Sequence, residues 1–149
     1  MAALSVQLLR NEEELSVVRT PVKTDERRPG ETEWLRGYDC DEQGDFERAV
    51  TFYRQSAAKK YRSAYVNLGN LLDKSDNPLR QKEAVYWYKR AFREGAKAGA
   101  WNLAMHYRNR GVRRWYLHWL SRAAEMGEED AIKALKQMKQ TGRSMRKSN

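Results

Sequence analysis

The stretch Glu83–Tyr107, EAVYWYKRAFREGAKAGAWNLAMHY, decides the fold because it holds one whole unit of a pattern that recurs on either side of it. Laying Ala84 on Ala49 brings Tyr88 onto Tyr53, Ala91 onto Ser56, Asn102 onto Asn67 and Leu103 onto Leu68, each 35 residues apart. Laying Tyr116 on Ala84 brings Trp119 onto Trp87, Leu120 onto Tyr88, Ala123 onto Ala91, Gly127 onto Gly95 and Leu135 onto Leu103, each 32 residues apart. The loop ahead of the later copy has shortened from DKSDNPLRQK to RNRGVRR. Self-similarity at a period of roughly 30–40 residues, with helical composition, implies stacked helical units, each leaving an apolar face open until its neighbour closes it.

The helical period predicts helices over 31–43, 46–60, 62–73, 80–94, 98–109, 113–126 and 129–140, with Thr32 and Asp45 placed to cap the first two. Ala49, Ala84, Ala91 and Ala123 are small where a helix of the next layer crosses close by, and Tyr53, Tyr88 and Leu120 fill the gap between layers. Gly95 and Gly127 fit the left-handed residue that ends a helix.

The unit resembles the Sel1-like variant of the tetratricopeptide repeat. The resemblance is carried by the A-x-x-W-Y-K-R-A run from Ala84 to Ala91, by Gly95, by W-N-L-A at 101–104 and by Gly111-Val112. Related runs are AYVNLGNLL at 64–72 and AAEMGEEDA at 123–131, and Gly37 with Gly44-Asp45-Phe46 and Ala49 resembles an ordinary tetratricopeptide step. Ser56 in place of a small Ala, Lys60 in place of the turn glycine, and Ala104 in place of the glycine seen at Gly69 depart from the pattern. The resemblance implies an all-α, right-handed solenoid of antiparallel helix pairs, with about three units and a terminal capping helix. The repeat domain would span 31–140, behind an arm over 1–30 that is either flexible or packed on the array, and ahead of a basic, disordered tail over 141–149.

At 149 residues, 40% apolar and 11% aromatic, the chain can bury one core. The one cysteine, Cys40, excludes an internal disulfide framework and fits a reducing, cytoplasmic setting. Flanked by Asp39, Asp41 and Glu42, it lacks the electropositive surroundings of a reactive thiolate. Nothing reads as a membrane span or a secretion signal. Pro21, Arg27-Arg28 and Pro29-Gly30 punctuate the arm, in which Leu15, Val17 and Val18 are the apolar anchors.

The chemistry of catalysis is not in evidence. His106 and His118 fall on different predicted helices, and His106 takes the repeat position of Leu71, which reads as a satisfied or half-buried histidine. Neither has a second ligand at metal spacing, and no phosphate loop or nucleophile elbow is present. The expectation is a non-enzyme with no cofactor.

Charge is polarised along the chain. Residues 1–47 carry 12 acidic and 6 basic side chains, a net of −6, and residues 48–149 carry 8 acidic and 23 basic, a net of +15. An acidic protein partner suits this field, and so does nucleic acid, for which Arg108, Arg110, Arg113 and Arg114 beside Trp115 and Tyr116 offer cations and stacking faces. The resembled fold favours protein.

In the resembled family the first helix of each unit lines a concave face. Carried over from the Asn67 and Asn102 register, this implies partner-binding positions at Val66, Asn67, Asn70, Trp101, Asn102, Met105 and Arg108, flanked by Ser63, Asp73, Lys74, Ala98 and Asn109. The unit of Gly37 adds Trp34, Tyr38, Asp41 and Glu42, and the terminal helix adds Lys133 and Gln137. The expected function is protein–protein interaction by an adaptor. The alternatives are an immunity protein that neutralises a cognate bacterial toxin, a role that small Sel1-like proteins take, and a basic nucleic-acid-binding repeat protein.

Overall fold

The computed structural model describes residues 27–147, and the side chains of 27–141. The arm anchors Leu15, Val17 and Val18 and the side chains of 142–149 lie outside what is described. Among the described residues all regular structure is helical: α1 (Glu31–Glu42), α2 (Phe46–Ala58), α3 (Arg62–Asp73), α4 (Pro78–Arg93), α5 (Lys97–Asn109), α6 (Arg113–Glu125) and α7 (Glu129–Lys147). Each helix packs on the one that follows it, and α3 also touches α5. No helix among the described residues is long and apolar enough to cross a membrane.

Five of the six connections share one backbone device. At Gly44, Lys60, Gly95, Gly111 and Gly127 φ lies between 63° and 84°, the left-handed region. At Gly95 the amide bonds back to Phe92 O at 3.0 Å and that of Ala96 to Ala91 O at 3.0 Å, and the other four turns repeat this pair of bonds. This is the Schellman closure, which satisfies two carbonyls at the end of a helix and favours glycine because a Cβ crowds the backbone there. Lys60 takes the same conformation at φ 63°, so the departure from glycine leaves the turn intact.

The structure corrects three local expectations. Helix α4 starts at Pro78 rather than at 80, because proline is tolerated in a first turn and Asn77 Oδ1 accepts from Leu79 N at 2.9 Å. Thr32 does not cap α1: the cap position is Gly30, whose carbonyl takes Trp34 N at 3.0 Å and Ser56 Oγ at 2.6 Å. Helix α7 continues through Gly142 to Lys147, so 141–147 are helical, not a disordered tail; one interior glycine costs a helix only about 1 kcal/mol relative to alanine. Asp45 caps α2 as expected, accepting from Arg48 N at 3.3 Å.

The core is built from the repeated residues. Ala49, Tyr53, Ser56, Ala84, Ala91, Leu103, Leu120 and Ala123 are all fully buried, and Tyr88 nearly so. Two glycines face rings: a Cβ at Gly37 would stand 2.6 Å from the Tyr53 ring, and one at Gly69 would stand 2.5 Å from the Tyr88 ring. At the next equivalent pair the ring is Leu120 and the glycine is Ala104, both fully buried in the same cluster. The loss of glycine at Ala104 therefore accompanies the loss of the ring that required it.

Candidate interaction groove

Tyr53 and Tyr88 rise from α2 and α4 with their rings in the core and their hydroxyls at one edge of α3. Tyr53 Oη accepts from Asn67 Nδ2 at 3.1 Å, Tyr88 Oη donates to Asn70 Oδ1 at 3.0 Å, and Asn102 Nδ2 donates to the same Asn70 oxygen at 2.9 Å. A row of amides and phenols thus runs from α2 across α3 to α5. Its unused groups alternate: Asn70 Nδ2 remains as a donor, and Asn67 Oδ1 and Asn102 Oδ1 as acceptors, with no partner among the described residues. Burial pushes the Tyr88 phenol upward, so it stays a neutral donor.

Two hollows flank the row and share Asn67. The smaller, about 450 Å³, is lined by Asp41, Asn67, Asn70, Asp73, Lys74, Tyr88 and Asn109. The larger, about 820 Å³, is lined by Trp34, Val66, Ser63 and Asn67 together with Arg28, Pro29, Ala96 and the Lys59–Arg62 turn. Its lining holds four cations and no carboxylate, although Glu33 pairs with Lys59 at 2.7 Å and Glu31 with Arg28 at 3.5 Å just outside. The Lys59 hydrogen bond, first of all, holds the Glu33 carboxyl below its ordinary value. Among the described residues Lys60 has no carboxylate partner, and Arg62 spends one nitrogen on the neutral carbonyl of Glu94 at 3.1 Å, so their side chains leave the cleft an excess of positive charge.

The expected partner-facing residues divide. Trp34, Val66, Asn67 and Asn70 line the two hollows. Asn102 joins them through Asn70, and the exposed Tyr38 stands 6.0 Å from Trp34. Trp101 and Met105 are half-buried and packed against the main core, while Arg108 is exposed, and none of the three lines either hollow. Lys133 is exposed on α7 beside Asp130 at 3.6 Å and is likewise outside them. Reasoning from sequence missed Arg28, Lys59 and Tyr61, which come from a turn and from the segment before α1, and it took Tyr88 for packing alone. A buried phenol at a helix-packing position is the signal that was available, since its hydroxyl needs a partner.

Behind the smaller hollow, Asp73 holds two cationic or polar groups of neighbouring elements. His106 Nδ1 lies 2.7 Å from Asp73 Oδ1, and Arg110 Nη2 lies 3.0 Å from the same oxygen. His106 is thus the satisfied histidine expected from its place in the repeat, with Asp73 as its partner and a side chain only 6% exposed. Burial alone would raise the Asp73 carboxyl, but the bond to His106 and the Arg110 guanidinium outweigh it and hold the group below its ordinary value. A depressed folded value contributes stability above the unfolded one and loses it as pH falls. Urea unfolding followed from pH 7 to pH 3 is expected to show wild-type stability falling below about pH 4, with Asp73→Asn flattening that loss while costing about 1–2 kcal/mol at pH 7. Parallel pH profiles for the two proteins would contradict the assignment.

Among the described residues no cluster of three His, Cys, Asp or Glu is arranged to hold a metal ion. Comparison of the sequence with protein-family models and with curated proteins finds no match.

Proposed function

We propose that the chain is a non-catalytic interaction module, a short right-handed solenoid resembling Sel1-like and tetratricopeptide repeats, whose groove holds an extended segment of a protein partner. The observation that carries this reading is the alternation of unused groups along the row: an acceptor at Asn67, a donor at Asn70 and an acceptor at Asn102. An extended peptide presents N–H and C=O groups in alternation and can meet such a row without regard to its side chains. Selectivity would then come from the larger cleft, where the positive excess of Lys60 and Arg62 suits Asp or Glu, and from the half-exposed Tyr38, which stands against Trp34 outside that lining and offers an aromatic anchor.

Selection of displayed 12-residue peptides on the immobilised protein tests this. Acidic sequences are expected to be enriched, and binding of an enriched peptide should weaken roughly tenfold or more for Asn67→Ala and for Lys60→Glu/Arg62→Glu, with unfolding transitions close to wild type for the charge changes. Enrichment without acidic bias, or peptides indifferent to both sets of changes, would refute the reading.

A further inference from the structure

A second surface lies outside the groove, where the end of α5 meets the start of α6. Trp115 is 44% exposed. Its ring centre stands 6.1 Å from that of Tyr107 at an interplanar angle of 33°, and 5.5 Å from His118, edge-on. The Arg114 guanidinium lies 5.9 Å from the Trp115 ring centre. Arg113 and Arg114 are exposed and have no carboxylate partner among the described residues. Tyr107 also forms a wall of a hollow of about 340 Å³, whose lining includes Lys82, Gln81 and Arg110 and no carboxylate. Arg110 is committed to Asp73, so Lys82 is the cation left to that hollow.

We propose that this strip binds single-stranded nucleic acid, with a base against the exposed part of Trp115 or in the hollow beside Tyr107, and phosphates at Arg113, Arg114 and Lys82. Two properties favour nucleic acid over an acidic peptide. The cations interleave with open ring surface, and flat π-faces at the spacing of neighbouring rings are what bases use and carboxylates do not. The net charge of +15 over residues 48–149 supplies the long-range attraction. No residue of the strip or of its hollow lines the two hollows of the groove, although His106 and Arg110 both bond Asp73 at the edge of the smaller one, so the strip stands whether or not the groove takes a peptide.

The test is fluorescence anisotropy of labelled 12-nucleotide oligo-dT and oligo-U on the whole chain. Binding is expected at 50 mM salt and should weaken roughly tenfold to twentyfold at 200 mM, as about three phosphate contacts to a single strand require. Arg113→Ala/Arg114→Ala should remove most of that salt dependence. Trp115→Ala should weaken binding roughly tenfold, Trp115→Tyr should largely retain it, and Asn70→Ala in the groove should leave it unchanged. Poly-glutamate of matched charge should compete poorly. Absence of binding, indifference to Trp115→Ala, or equal competition by poly-glutamate would overturn the proposal, the last by assigning the strip to an acidic protein.

Discussion

Gly99→Ala is expected to destabilise the protein by about 3 kcal/mol, at the upper end of what overpacking a core costs. A Cβ at Gly99 would stand 2.5 Å from Tyr88 O and 2.6 Å from Phe92 N, both backbone atoms of α4. No rotamer change can relieve such a contact, so α4 and α5 would have to separate. Because α5 carries Asn102, the separation would also open the Asn70–Asn102 bond of 2.9 Å. In an ordinary exposed helix position the same replacement would be favourable by about 1 kcal/mol. Urea unfolding monitored by far-ultraviolet circular dichroism gives the sign directly, and a neutral or stabilised variant would mean that the two helices do not approach as described.

The second large effect reverses sign with background. Gly69→Ala alone should cost about 2–3 kcal/mol, because its Cβ meets the Tyr88 ring at 2.5–2.7 Å and that ring is only 3% exposed and cannot swing away. Tyr88→Leu alone should also be costly, since it empties ring volume and removes the bond to Asn70. Introduced into the Tyr88→Leu background, Gly69→Ala should be neutral or stabilising by up to about 1 kcal/mol, as the new methyl fills space and favours the helix. The pair then reproduces Ala104 with Leu120, which the chain already carries at the equivalent place. Additive costs in the double variant would show that the glycine answers to something other than the ring.

Much of the fold was legible in the sequence because the repeat reports packing directly: alanine or serine where helices cross, tyrosine or leucine four residues on, glycine at the turn. Helix ends fell within two residues of expectation, except at the end of α7, where Gly142, flanked by helix-compatible residues, did not end the helix. Lys60 adopts a conformation that its residue type disfavours, held by the same local pair of bonds as the glycine turns. The asparagine row was legible in position but not in mechanism. Asn70 accepts from both Tyr88 and Asn102, so it holds the row together as well as facing outward. The cationic cleft was largely hidden, since Arg28 and Pro29 precede the repeats and no periodicity points to them. Trp101 and Met105 share α5 with Asn102, but their side chains are half-buried against the core.

Peptide capture in the groove requires that the Asn67–Asn70–Asn102 row meet a partner. The most direct measurement is the side-chain amide region of the ¹⁵N–¹H spectrum during titration with a peptide selected on the protein, with the three Asn signals assigned by substitution. Binding in the groove predicts large shifts for the Asn67, Asn70 and Asn102 amides together with the Tyr38 backbone amide, and little change on the outer face of α4 near the exposed Tyr86. Shifts confined to the Trp115 strip or to the outer faces of α2, α4 and α6, with the three amides unmoved, would contradict it.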